Sequence, residues 1–204
     1  MLLFVSCQVQ EQEATLISGK NSQARIRNSL AITSTNGSVN NLNKSTYSLA
    51  GTCSEQSSSI KMTIGPLTKT TTCNQESFAF VVDLSGAGDG SFTFQFTETL
   101  SSGKQYAASY TTSKDTTPPV VNDIVDDNVP VASKTIFWSC TETCSFRYTV
   151  STSAFVSPIG SYQNVTSATV STGVNRYYIH VQAMDAAGNE SAVETAYFFI
   201  DDTL

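Results

Sequence analysis

The sequence predicts an all-β chain, two tandem β-sandwiches joined by a stiff Pro-Pro linker. Three observations carry that expectation. Apolar residues recur at every second position in short runs, which is the pattern of half-buried strands. Turn residues (Gly, Pro, Asn, Asp) punctuate the chain about every ten residues, a spacing that suits a sandwich. Between the two sets of runs stands Lys114-Asp115-Thr116-Thr117-Pro118-Pro119-Val120-Val121. Each proline fixes φ, lacks an N–H donor and pushes the preceding residue away from helix, so the pair forms an extended spacer of low flexibility.

The 204 residues suffice for two domains of ordinary size. The expected division is a signal remnant and tether over residues 1–28, a sandwich over 29–114, the linker over 115–119, and a second sandwich over 120–204. Charged residues make up only 14%, and the formal net charge is -6. Such a surface offers no basic patch, which argues against nucleic-acid binding. Hydrophobic residues are 40%, with 11 Phe and 8 Tyr, enough for two packed cores.

Five cysteines are present. Cys7 stands apart, while Cys53 and Cys73 precede the linker and Cys140 and Cys144 follow it. No histidine or Cys-x-x-Cys spacing accompanies them, which argues against zinc. Pairing within each half gives two disulfides and an oxidising compartment. The alternative is two pairs of free thiols in packed cores.

In the first half, residues 29–34 read as a strand, with a turn at Asn36-Gly37-Ser38. Residues 46–53 place Tyr47, Leu49, Gly51 and Cys53 on one face. Ile60, Met62 and Ile64 share the face of the next strand, which Gly65-Pro66 ends. Residues 77–84 form a nearly continuous apolar strand. After the Asp89-Gly90 turn, Phe92, Phe94 and Phe96 point one way, and residues 105–112 supply the last strand. Cys53 and Cys73 fall at the ends of strands that meet across the sandwich.

In the second half, Ile136 and Trp138 share a face. Phe146, Tyr148 and Val150 are expected inward, with Arg147 and Thr149 outward. The run Cys140-Thr141-Glu142-Thr143-Cys144 connects these two strands and is expected to pin them as a hairpin. Residues 167–170 form a short strand. Residues 176–184 give the clearest alternation, with Tyr177, Ile179, Val181 and Ala183 inward and Tyr178, His180 and Gln182 outward. Asp185-Ala186-Ala187-Gly188-Asn189 is a turn, and residues 193–200 close the sandwich on a face that the run Tyr197-Phe198-Phe199-Ile200 leaves open.

Several of these residues resemble known families. Leu3-Phe4-Val5-Ser6-Cys7 resembles the end of a bacterial lipoprotein signal, with Phe4 where such signals usually have Leu. That resemblance implies lipidation of Cys7, against the alternative of an unpaired cysteine after an apolar start. Tyr47-x-Leu49-x-Gly51-Thr52-Cys53, Asp83-Leu84, Asp89-Gly90 and Asp115-Thr-Thr-Pro-Pro119 resemble the tandem bacterial immunoglobulin-like repeats of surface adhesins. The second half is similar to a fibronectin type III-like sandwich, through Trp138, Tyr148, Val150 and the strand Tyr177-x-Ile179-x-Val181-x-Ala183 ahead of Asp185-Ala-Ala-Gly-Asn-Glu-Ser191. The acidic-Thr run at Asp201-Asp202-Thr203 echoes the linker, as if another module's linker began there. The resemblance implies two immunoglobulin-like sandwiches in an exported, cell-surface or secreted protein. It implies a stalk or adhesin role, with a cell-surface protein or glycan as partner and membrane contact only through the lipid anchor. It says nothing about oligomeric state.

The same resemblance implies calcium near the joints, held by Asp side chains. Asp115, Asp185, Asp201 and Asp202 are the candidate ligands, and otherwise no cofactor is expected. Leu100-Ser-Ser-Gly-Lys104 departs from the family's acidic turn and removes one ligand from the first half. Solvated turn carboxylates are the alternative.

Catalysis finds no support. One histidine, expected to face out of a strand, makes no triad with Asp185. A binding face is the other candidate: Arg147, Tyr178 and His180 are expected on one outer sheet surface. Exposed Tyr and Arg recur in recognition surfaces, and aromatic faces stack on sugars. That makes a carbohydrate-binding module the alternative to a spacer.

Overall fold

The computed structural model describes residues 29–204. The described residues contain no helix; the all-β expectation holds. The tether over 1–28 and Cys7 lie outside them.

Seven strands precede the linker: β1 (Ala31–Thr35), β2 (Tyr47–Thr52), β3 (Ser59–Ile64), β4 (Leu67–Thr72), β5 (Ser77–Val82), β6 (Gly90–Thr99) and β7 (Gln105–Lys114). They form an antiparallel sheet ordered β1-β2-β5 and a second ordered β4-β3-β6-β7. The inward faces follow the period-two pattern. Tyr47, Leu49, Ile60, Met62, Phe78, Phe80, Val82, Phe94 and Phe96 are buried in one core. Each such side chain contributes about 1.5–3 kcal/mol by leaving water. Rings of Phe78, Phe80 and Phe96 meet at centroid distances of 5.9–6.1 Å. Gly51 sits opposite Phe78 across the β2–β5 pair. A Cβ there would lie 2.1 Å from the Ala31 carbonyl and 2.5 Å from the Phe78 ring, so the position admits only glycine. Tyr47 is fully buried and donates to the Gly37 carbonyl at 2.6 Å; burial pushes its phenol up to about 12.

Strand β4 departs from the sequence expectation, which ended the third run at Gly65-Pro66 and assigned nothing to Leu-Thr-Lys-Thr-Thr-Thr. Gly65, at φ +50°, instead turns a tight hairpin that pairs Ile64 with Leu67. β4 is an edge strand, solvated on both faces apart from its ends, so it shows no apolar alternation. Its β-branched threonines favour the strand without marking an inward face.

Seven strands follow the linker: β8 (Val121–Asn122), β9 (Lys134–Phe137), β10 (Ser139–Cys140), β11 (Ser145–Ser151), β12 (Ser167–Val170), β13 (Val174–Met184) and β14 (Glu194–Asp201). The sheet β11-β13-β14 faces short pairs β12-β9 and β10-β8. A second, separate core collects Val121, Ile136, Trp138, Phe146, Ile179, Val181, Phe198 and Ile200. Trp138 donates its indole N–H to the Val165 carbonyl at 2.9 Å. The closing strand resolves as Ala196, Phe198 and Ile200 inward.

Two expectations for this half are corrected. β10 and β11 do not form a hairpin: β10 pairs with β8, and β11 with β13. The Cys140–Cys144 run therefore crosses between sheets. Alternation identifies strands but not their partners. Tyr148, expected inward, is 37% exposed; its ring packs against Trp138 at 5.1 Å from the rim of the core.

Candidate functional site at the Pro-Pro joint

The joint is tied to each half by different residues. On the first side, Asp89 accepts from the Lys114 ammonium at 3.1 Å and from the Thr116 amide and hydroxyl, both at 3.0 Å. The Thr116 amide, and then Lys114, hold its carboxyl below the ordinary aspartate range. Val39 joins alongside: its amide donates to the Ser113 carbonyl and its carbonyl accepts from the Asp115 amide, each at 2.9 Å. On the second side, the Val120 amide donates to the Thr141 hydroxyl, and the Thr141 amide donates back to the Val120 carbonyl. Thr117, Pro118 and Pro119 stand between these anchors, and the two prolines lack N–H groups.

Asn189 bridges the two sides. It is 2% exposed. Its Oδ1 accepts from the Asn41 amide at 2.9 Å, and its Nδ2 donates to the Asp115 carbonyl at 2.9 Å and to Asp185 Oδ2 at 2.8 Å. Its own amide donates to Asp185 Oδ1 at 2.9 Å, closing the Asp185–Asn189 turn. Asn40 adds a second tie, donating from Nδ2 to the Ala187 carbonyl at 2.8 Å. The Asn40 side chain is aimed by its own loop, because its Oδ1 accepts from the Leu42 and Asn43 amides at 3.0 Å. Both side-chain donors of Asn189 are thus paired, and with a buried amide each lost partner leaves a costly unpaired group.

Beside this bridge, one carboxylate oxygen each from Asp115, Glu142 and Asp185 lie within 4.8 Å of one another. Asp185 is buried, Asp115 half-buried and Glu142 exposed. Partial desolvation, then the charges of Asp185 and Asp115, hold Glu142 above the ordinary glutamate range. The three come from the linker, the Cys140–Cys144 loop and the turn after β13. Hard carboxylate oxygens with spare lone pairs fit calcium, which takes about six to eight oxygens including waters.

The sequence singled out Asp115 and Asp185, which meet, and Asp201 and Asp202, which do not. Val174 pairs with Asp201, so this acidic pair lies at the start of β13 while Asp185 follows its end. Eleven residue steps separate Val174 from Asp185, roughly 36 Å, too far to share an ion. Asp202 instead accepts from the Gly173 amide at 2.7 Å, and Asp201 from Thr203. Glu142 escaped the sequence reading because its approach depends on β10 pairing with β8, next to the linker.

The predicted outer binding face is also rearranged. His180 is 1% exposed, not solvent-facing. The loop after β11 folds over it, and its Nε2 donates to the Ser153 carbonyl at 3.0 Å while Nδ1 meets the Thr195 hydroxyl at 2.9 Å. Arg147 is held by Gln182 Oε1 at 2.7 Å and Glu190 at 3.3 Å, and its guanidinium covers the Tyr162 ring. Tyr178 remains half-exposed, beside Tyr197 and Arg176.

Within the first half, sequence reading missed Glu98. It is fully buried, and its carboxylate accepts from the Ser54 amide and hydroxyl, the Glu55 amide and the Ser58 hydroxyl at 2.7–3.2 Å. It fixes the segment that follows Cys53. Glu98 stands in phase with Phe94 and Phe96, so the alternation that turns those rings inward turns its carboxylate inward too.

The disulfide geometry completes the picture. Cys53 and Cys73 are bonded, with Cα atoms 5.9 Å apart, and tie the end of β2 in one sheet to the end of β4 in the other. Cys140 and Cys144 are bonded across four positions, holding Glu142 at the loop's centre.

No known family's sequence profile matches the chain, and no curated protein matches it. Among solved structures it is similar to fibronectin(III)-like modules of CbhA from Clostridium thermocellum: 15% identity over 86% of this chain and 96% of that one, with a TM-score of 0.51. This shows the fold, a fibronectin(III)-like β-sandwich arrangement. Other similar structures include a 1.5-MDa bacterial ice-binding adhesin (19% identity, TM-score 0.47, 84% of this chain and 64% of that one). A Ca2+-stabilized adhesin with which an Antarctic bacterium binds ice is also similar (17%, TM-score 0.46, 84% and 48%).

Proposed function

We propose that this chain is a non-enzymatic spacer in an exported surface protein, two sandwich units over residues 29–114 and 120–204 held at a fixed angle by the joint over 115–119. The observation that carries this reading is Asn189, which spends its side chain on both sides of the joint rather than on its own turn alone. A linker between independently moving units needs no such bridge. Two disulfides favour an oxidising compartment, and Cys7 is the proposed lipid anchor. Mass analysis of native protein tests export. Acylated Cys7 with four oxidised cysteines supports it, and a reduced, unmodified chain contradicts it.

Calcium at Asp115, Glu142 and Asp185 would stiffen the same joint by neutralising three like charges. Melting with calcium and with chelator checks this; equal midpoints remove the ion from the account. Asp201 and Asp202 are not part of the proposed ligand set.

A second reading, carbohydrate binding, rests on the half-exposed rings of Tyr178, Tyr197 and Phe199 along the outer face of β13 and β14. The cell-surface partner is then a glycan, with Arg147 and His180 on the same face but engaged by Gln182, Glu190, Ser153 and Thr195 rather than by the ligand.

A further inference from the structure

We propose that the outer face of β13–β14 is a receptor for a carboxylate-bearing polysaccharide, with Arg176 as the group that grips the carboxylate. This deepens the carbohydrate reading and rests on it, not on the spacer role.

Register places the groups. Tyr178 pairs with Tyr197, and Arg176 with Phe199, so all four side chains share the face opposite Ile179 and Phe198. Ring centroids of Tyr178 and Tyr197 lie 6.3 Å apart, and those of Tyr197 and Phe199 6.1 Å apart. The Arg176 guanidinium carbon sits 5.0 Å from the Tyr197 centroid and 4.9 Å from that of Phe199. Contact with two rings steadies the long side chain through its face and leaves the in-plane N–H fork, which matches a carboxylate, largely unused. One of those donors, on Nη1, meets the Tyr178 hydroxyl at 3.5 Å. Among the described residues Arg176 has no ion-pair partner. The acid beside it, Asp126, accepts from the Tyr197 amide at 3.0 Å.

Arg147, on the same sheet, provides the contrast. It donates to Gln182 and Glu190 and is thereby neutralised within the fold. Arg176 is held over two rings without an ion pair of its own, with the Asp126 charge near it, on a chain of net charge -6. Preorganisation lowers the ordering cost of binding, and charge-assisted fork contacts are the strong ones.

The face favours a polysaccharide over an acidic peptide. An extended peptide adds to a free sheet edge. The free edge of β14 is already taken by the preceding segment, where the Asp127 amide donates to the Tyr197 carbonyl at 2.9 Å and the Asp201 amide to the Val131 carbonyl at 3.0 Å. What remains is the half-exposed Tyr178 ring and the parts of the Tyr197 and Phe199 rings that the guanidinium leaves uncovered, a short apolar surface for a sugar C–H face with a carboxylate at its side.

The test is titration of the protein, in chelator to exclude calcium bridging, with polygalacturonate, its methyl-esterified form and poly-glutamate. The expected result is binding to polygalacturonate that esterification abolishes. Arg176→Gln should weaken it about ten-fold or more, Arg176→Lys should weaken it less, and Lys61→Gln in the first half should leave it unchanged. Melting curves of the variants confirm that each is folded. Equal binding of the acid and its ester, insensitive to Arg176→Gln, overturns the role of Arg176 while keeping the carbohydrate reading. Absence of binding to either polysaccharide overturns both. Equal or tighter binding of poly-glutamate makes the partner an acidic peptide and overturns the polysaccharide assignment.

Discussion

The two halves use their disulfides differently. Cys53 and Cys73 are 0% and 1% exposed and join two sheets from inside a core. Cys140 and Cys144 are half-buried and close a loop that rests on the linker, with Thr141 on Val120 and Glu142 toward Asp115 and Asp185. The first crosslink joins two sheets around one core. The second presents Glu142 to Asp115 and Asp185. What a crosslink does depends on which segments it closes more than on its own chemistry, and the two halves separate those roles within one chain.

The largest effect is expected where the first crosslink acts. Glu98→Ala would leave four donors around the Cys53 segment without their acceptor, and the cost should be roughly 3 kcal/mol or more in a denaturant titration. Replacing Cys53 and Cys73 by alanine reopens a loop of sequence separation 20, with an expected loss of roughly 3 kcal/mol on the chain-entropy account. Replacing Cys140 and Cys144 reopens a loop of separation 4, and the loss should be smaller, about 2 kcal/mol. The second pair, despite its smaller effect on melting, should remove the calcium response. A calcium response that survives reduction of that loop would show that the loop does not present Glu142 to the joint.

The smallest effect concerns charge at the joint. Glu142 has a folded-state value above its ordinary 4.5, so the folded state binds protons more readily and gains stability at low pH. That contribution is fully present below 4.5 and is lost as pH rises through the raised folded value. In chelator, Glu142→Gln should therefore melt slightly above the parent at pH 7 and level with it below pH 4.5. A gap that persists or widens on acidification would contradict the like-charge account. Asp89 has the opposite sign. Its folded value is lowered, so its tie to Thr116 and Lys114 holds at pH 7 and weakens only as pH falls below 3.8.

Much of the fold was legible in the sequence because one face of each strand is buried. Tyr47, Leu49, Gly51 and Cys53 lie inward as their spacing predicts, and so do Ile179, Val181 and Ala183. The spacing alone could not say that Gly51 yields to the Phe78 ring. β4 was invisible because both its faces meet water. His180 was misplaced because alternation reports the two faces of a sheet and not the loop that later covers one of them. The candidate site was half legible. Asp115 and Asp185 flank obvious turns, whereas Glu142 arrives through the pairing of two-residue strands, which no periodicity encodes. Arg176 carries no signal in the sequence at all, since its meaning comes from the register that sets it opposite Phe199.

If Asn189 fixes the angle between the two halves, small-angle X-ray scattering in solution should show it. The parent protein should fit a single arrangement of residues 29–204, and Asn189→Ala, still folded in both halves, should broaden the distribution of overall dimensions. A parent curve that already requires many orientations, unchanged by Asn189→Ala, would contradict it.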